Sequence, residues 1–228
     1  MSSRRQFLSR CALLAATGGL PTWSQSAPVA LGASPNPAPP AKPPIPFETV
    51  GPFTADTESS YAFFAFTCPF CREHMPNIQA WGSTLPPPLR FASSPIPSGP
   101  GGLQGSRAFY AVRRAAPTKL REFERVVYAA LHDARAPEED EKTYLSAARA
   151  AGIDSATLRP WWVHNDVQRD VFYAKVRYER YAIDRTPSLA VGGRYVLYAD
   201  LVNGDYAMLI NLANGVISQM LPQSSGNR

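Results

Sequence analysis

With 228 residues, 45% of them hydrophobic and 18% charged, the chain can bury the core of one ordinary domain and leave room for an inserted helical layer. No run is long and apolar enough to remain as a membrane span. The formal charge of +5 falls to about +2 once Arg4, Arg5 and Arg10 of a leader are set aside, and the other charges alternate in sign along the helical segments, unlike the basic stripe of a nucleic-acid binder.

In chain order, Ser3-Arg4-Arg5-Gln6-Phe7-Leu8 matches the twin-arginine export pattern. A weakly hydrophobic stretch, 11–20, and small residues at 24–27 follow, so residues 1–26 read as a signal peptide for export of a folded protein. Cleavage after Ser26 and after Ala27 fit equally well. An ordinary secretory signal that contains two arginines gives the same destination, the periplasm or another extracytoplasmic space. Arg10 before Cys11 argues against lipid attachment. Residues 27–46 are dominated by Pro and Ala, a composition that favours extended segments and reads as a tether.

Residues 47–52 predict a short strand and 61–66 a central one, an aromatic-rich run that ends in Cys68-Pro69-Phe70-Cys71. The next ten residues predict a helix with Met75, Ile78 and Trp81 on one face, kinked at Pro76. The cysteines therefore sit at a helix N-terminus, where unpaired N–H groups and the positive end of the macrodipole favour a thiolate at Cys68. Pro69 suits the first helical position, which needs no donor. Cys11 lies in the leader, so the mature chain carries one pair, too close in sequence to staple a fold. The alternative, half of a zinc site, needs two more ligands. There is no second C-x-x-C, and His74, His132 and His164 are scattered along the chain.

After the Leu85-Pro86-Pro87-Pro88 break, 89–96 predicts a third strand, parallel to the second by the usual right-handed crossover. A Ser-Gly-Pro-Gly-Gly turn at 98–102 then gives way to helices. Leu120, Phe123, Val126, Val127, Ala130 and Leu131 repeat as one buried stripe. Acidic residues at 138–141 open another helix that Gly152 stops, and Asp154 caps a short turn before Pro160. Trp161, Trp162, Val163, Val167, Val171, Ala174, Tyr178 and Tyr181 line one long helix, its aromatics read as core. Beyond Pro187, strands at 188–191 and 195–198 around Gly192-Gly193 predict a hairpin, and 205–220 a last helix.

The phrase Phe63-Phe64-Ala65-Phe66-Thr67-Cys68-Pro69-Phe70-Cys71 resembles the active-site strand and helix start of the DsbA family of thioredoxin-fold oxidoreductases. A remote segment, Ile183 to Val196, agrees with that family's cis-proline hairpin. The resemblance covers roughly 46–221 and implies an α/β protein, a thioredoxin fold with an inserted all-helical domain. It divides the chain into a first half with the C-x-x-C pair at 47–102, a helical insertion at 103–182, a second half with the hairpin and last helix at 183–221, and a tail at 222–228. It further implies protein thiol-disulfide exchange, with Cys68 attacking, Cys71 completing the exchange, and Pro69, Phe70, Thr186 and a cis Pro187 in support. The implied cofactor is none beyond the redox-active Cys68–Cys71 disulfide. The implied partners are cysteine-containing proteins and a membrane redox partner, with a monomer as the working unit.

Three positions depart from the family. Phe70 stands where the strongly oxidising members carry histidine and has no hydrogen bond to give a thiolate. Ala62 replaces the family's buried carboxylate six positions before the first cysteine. Thr186 resembles the isomerases and reductases more than the main oxidase. Oxidase is the first reading, reductase or isomerase the second, although no dimerisation domain of the isomerase kind is apparent. A binding or chaperone module is the rival of another class, one that would need neither cysteine.

Overall fold

The computed structural model describes residues 47–220. Within them a five-stranded sheet runs in the order β1-β5-β4-β2-β3. The strands are β1 (Glu48–Thr49), β2 (Ser59–Phe64), β3 (Arg90–Pro95), β4 (Ser188–Val191) and β5 (Tyr195–Tyr198). β2 pairs with β3 in parallel across the helix α1 (Pro69–Gly82), and the β4–β5 hairpin adds antiparallel to the other edge of β2. Gly192 and Gly193 both take positive φ, +63° and +67°, as a primed hairpin turn requires.

Alternation along β2 sorts its side chains to two cores. Ala62 and Phe64 face a large cluster shared with α1 and the inserted helices, while Phe63 faces Tyr181, Ile183, Val196 and Tyr198 on the opposite side. The last helix α7 (Tyr206–Met220) has an Asp205 carboxylate that accepts from the Met208 amide, and it is tied to α1 by Trp81 Nε1, which donates to Asn214 Oδ1 at 2.8 Å. This is the mixed α/β fold expected, with the helices interposed between the two halves of the sheet.

The insertion comprises α2 (Gly99–Ala115), α3 (Leu120–His132), α4 (Glu141–Ala150), α5 (Ser155–Trp162) and α6 (Asn165–Arg180). Three expectations about it need correction. The 98–102 segment is the first turn of α2, because Gly99 turns the chain at positive φ and Pro100 already has a helical φ. The single helix expected from Trp161 onward is two: α5 ends at Trp162, Val163 is exposed, and His164 turns extended and caps α6 by accepting from the Asp166 amide at 3.1 Å. On α3 the buried face is rotated from the expected stripe. Phe123, Glu124, Val127 and Tyr128 are buried, whereas Leu120, Val126, Ala130 and Leu131 are only partly so. The acidic start of α4 is as expected, with Asp140 accepting from the Lys142 amide.

Candidate active site

The turn from β2 to α1 is tight. Cys68 N–H donates to the Ala65 carbonyl at 3.2 Å, and Cys68 itself is the extended N-cap of α1, with Pro69 in the first turn. As a cap its sulfur accepts from the Cys71 backbone N–H at 3.4 Å, a donor the helix leaves unpaired. α1 continues through Pro76 and carries Cys71, Met75 and Ile78 into the core.

On the neighbouring strand of β2, Thr186 and Pro187, joined by a cis peptide bond, lead directly into β4. The Cys68 thiol donates to the Thr186 carbonyl at 3.1 Å, so two segments 118 residues apart meet at one sulfur. All six residues singled out in the sequence as site candidates, Cys68, Pro69, Phe70, Cys71, Thr186 and Pro187, lie in or beside this meeting point. Phe70 is 57% exposed and points away from the core. With Thr186, Pro187, His74, Tyr206 and Arg185 it lines a groove of about 480 Å³ next to Cys68. His74 stacks on Tyr206 with ring centroids 3.5 Å apart. Arg185 is held by Asp184 and Asp200 and stacks on Tyr198 at 4.5 Å.

The two sulfurs live in opposite environments. Cys68 is pulled down to about 5, first by a hydrogen bond from the Cys71 thiol and then, against the opposing effect of partial burial, by the Thr186 side chain and the backbone N–H groups of Cys71 and Phe70. The Thr186 carbonyl favours the protonated thiol and the Thr186 side chain the thiolate; the downward shift of Cys68 means the donors outweigh that acceptor. Cys71, fully buried, is pushed far above any attainable pH, first by burial and then by its bond to Cys68 and the charge there.

On the other flank of α1, a second groove of about 620 Å³ separates it from α3. Arg72 and Asp133 bridge its mouth with two 2.7 Å bonds, and His132 Nε2 lies 2.9 Å from the Phe66 carbonyl just before the cysteine pair. Glu124 is 6% exposed, and both its oxygens accept from Gln79 Nε2, at 3.0 and 3.1 Å. Burial pushes its carboxyl up to about 7, against the Gln79 bond and the Arg121 charge. Four residues on, Tyr128 is buried with its hydroxyl unpartnered among the described residues. Neither residue was singled out in the sequence. The available signal was their i, i+4 spacing beside Phe123 and Val127, which fixes a shared face once the helix register is known. The three histidines lie apart: His74 on Tyr206, His132 at Phe66, His164 at the start of α6.

No protein-family model matches the chain. The thiol:disulfide interchange protein DsbA of Bordetella pertussis is 29% identical over 177 residues, covering 78% of this chain and 81% of that protein. The DsbA of Burkholderia cepacia is 26% identical over 140 residues, 58% of this chain and 62% of that one. Among solved structures, Pseudomonas aeruginosa DsbA superposes with a TM-score of 0.68 at 17% identity, covering 76% of this chain and 91% of that one. The oxidoreductase DsbA of Xylella fastidiosa gives 0.65 at 18%, with 78% and 98% covered.

Proposed function

We propose that this chain, a DsbA-like protein of the thioredoxin fold, is an exported enzyme that exchanges disulfides with cysteine-containing substrate proteins through Cys68 and Cys71. The observation that carries the reading is the split between two thiols three residues apart, one held as a thiolate at neutral pH and one held as a buried thiol. A binding or chaperone module needs no such split.

In the oxidising direction, a substrate thiolate attacks Cys68 Sγ of the disulfide, and Cys71 leaves and takes up a proton. A second substrate thiolate attacks the substrate sulfur of the mixed disulfide, and Cys68 leaves as a thiolate. Two substrate thiols are thereby oxidised and the pair is reduced. Stabilising the Cys68 thiolate stabilises the reduced pair, which favours giving the disulfide away, so oxidase is the reading we adopt. Pro69 helps to start the helix that favours this thiolate. The backbone before Pro187 is positioned to bond an extended substrate, and the groove beside it offers Phe70 as an apolar contact. A second reading, reductase or isomerase, has Thr186 and the absence of a donor at Phe70 in its favour. The working unit is taken as a monomer, re-oxidised by a membrane redox partner and needing no cofactor beyond its own disulfide.

The test is trapping. Cys68→Ser should abolish exchange, and Cys71→Ser should accumulate mixed disulfides on Cys68. Equal trapping through Cys71 in the Cys68→Ser protein would overturn the assignment. Export rests on Arg4 and Arg5, which lie outside the described residues. Changing both to lysine should hold the protein in the cytoplasm, and undiminished export would leave the ordinary secretory signal.

A further inference from the structure

Cys71 raises a problem that its own surroundings do not solve. Each time the Cys68–Cys71 disulfide opens, the buried sulfur must gain a proton, and each time it closes it must lose one. Ala62, on the strand behind it, is fully buried and has nothing to exchange. Cys68 gives up its proton too readily to hold one for its neighbour.

The structure brings one buried carboxyl to this side of the site. Glu124 faces the groove between α1 and α3, and its oxygens are met by the neutral Gln79 amide and, among the described residues, by no cation at ion-pair distance. The charged groups around it are otherwise engaged or more distant. Arg72 of α1 is held by Asp133, Arg113 of α2 is near Asp170 and stacks on Tyr110, and Glu122 of α3 binds Arg125, which leaves Arg121 as a weak cationic influence. Ser93 of β3 reaches only Gln79. Next along the helix face, Tyr128 lines the same groove as Glu124 and belongs to the buried cluster that holds Cys71, its hydroxyl unpartnered among the described residues. Its ring packs on Phe66, two residues before Cys68, at 5.3 Å. Burial keeps the phenol protonated, so it cannot store charge, but a hydroxyl accepts a proton on one lone pair while giving its own away.

Resting on the exchange reading above, we propose that Glu124, through the Tyr128 hydroxyl and water of the groove, takes the Cys71 proton when the disulfide closes and returns it when the disulfide opens. In closure, Cys71 Sγ–H passes its proton along this route to the Glu124 carboxylate. The Cys71 sulfur then attacks Cys68 Sγ of the mixed disulfide, the Cys68–Cys71 bond forms, and the thiolate bound to Cys68 leaves. Opening is the reverse, with Glu124 as the acid. Glu124 is thus a proton-holding residue that acts through another group, and its carboxyl, pushed up to about 7, can serve in both directions near neutral pH.

The experiment separates the two thiol steps. Reduced protein is mixed with glutathione disulfide, and the formation and closure of the Cys68–glutathione mixed disulfide are followed from pH 4.5 to 8.5. In the native protein, formation should turn on near pH 5 and closure near pH 7. In both Glu124→Gln and Tyr128→Phe, formation should keep its midpoint, while closure should lose its inflection and slow by about 100-fold at pH 7.5. A native closure profile in either variant, or no inflection near 7 in the native protein, overturns the proposal. A change in melting temperature with the closure profile intact does so too, since it leaves Glu124 only the task of tying α3 to α1. Failure of the native protein to form the mixed disulfide at all would instead sink the exchange reading.

Discussion

The two flanks of α1 treat their sulfurs in contrary ways. On the β4 flank, Cys68 faces an open groove with Thr186, Pro187 and an exposed Phe70, and donors gathered at the helix end hold its charge. On the α3 flank, Cys71 is fully buried in a largely aromatic and aliphatic cluster, and behind the Arg72–Asp133 bridge Glu124 and Tyr128 are buried in surroundings that disfavour their charged forms. The lesson is that three residues of one helix suffice to separate a leaving group from a reserve thiol, provided that different parts of the chain supply the two walls.

The comparison is broken most deeply at Glu124. Its carboxyl titrates near 4.5 when unfolded and near 7 when folded. The folded state therefore holds the proton more tightly, and stability declines as pH rises from about 4.5 to 7, then levels off. Glu124→Gln removes that penalty. The variant should match the native protein at pH 4 and exceed it by about 3 kcal/mol at pH 8 in denaturant unfolding. Equal stability at both pH values would mean that the carboxyl is not buried as described.

The Cys68 flank gives a smaller effect of the opposite sign. Its thiolate is favoured in the folded reduced protein, with a pKa of about 5 against 9.0 unfolded. That contribution is present in full above 9 and is lost as pH falls through 5. At pH 7 the reduced protein should resist urea better than the same protein with its thiolate removed by Cys68→Ala, by about 2 kcal/mol after discounting for solvent screening. The gap should close by pH 4, and a gap independent of pH would point to packing rather than charge.

Phe70 sharpens the contrast by the least. Phe70→His puts a donor near the thiolate, and a charge-assisted bond of about 1.5–3 kcal/mol corresponds to roughly 30–60 mV for a two-electron couple. The potential should rise by that amount and the Cys68 pKa should fall with it, read from glutathione equilibration and thiolate absorbance. If neither moves, the bond from Cys71 and the helix end already set the poise.

The Cys68 flank was legible in the sequence because its parts are local: a strand pattern, a C-x-x-C, a proline at a helix start and a proline before a hairpin. The Cys71 flank was not. Whether Glu124 points to water or into the core depends on how α3 rotates against α1, and the stripe through Val126 and Ala130 is as apolar as the one actually buried. Tertiary packing chose the face that sets Tyr128 against Phe66 and lays Glu124 on Gln79, at the cost of burying a carboxyl. The break at Val163 and His164 was hidden for a related reason: apolar spacing continued across it while the cap, a histidine accepting through its ring nitrogen, is not among the common capping residues.

The 118 residues between Cys68 and the carbonyl it meets also set a clock. A ribosome adding about 5–20 residues per second delivers Cys68 some 6–24 s before Thr186 is synthesised. During that interval one wall of the groove does not exist, β2 lacks its antiparallel neighbour, and both thiols belong to an unfinished sheet. Export of a chain already folded would confine this interval to a reducing compartment, where stray oxidation is slowest, and deliver the pair outside only after its two walls had closed around it.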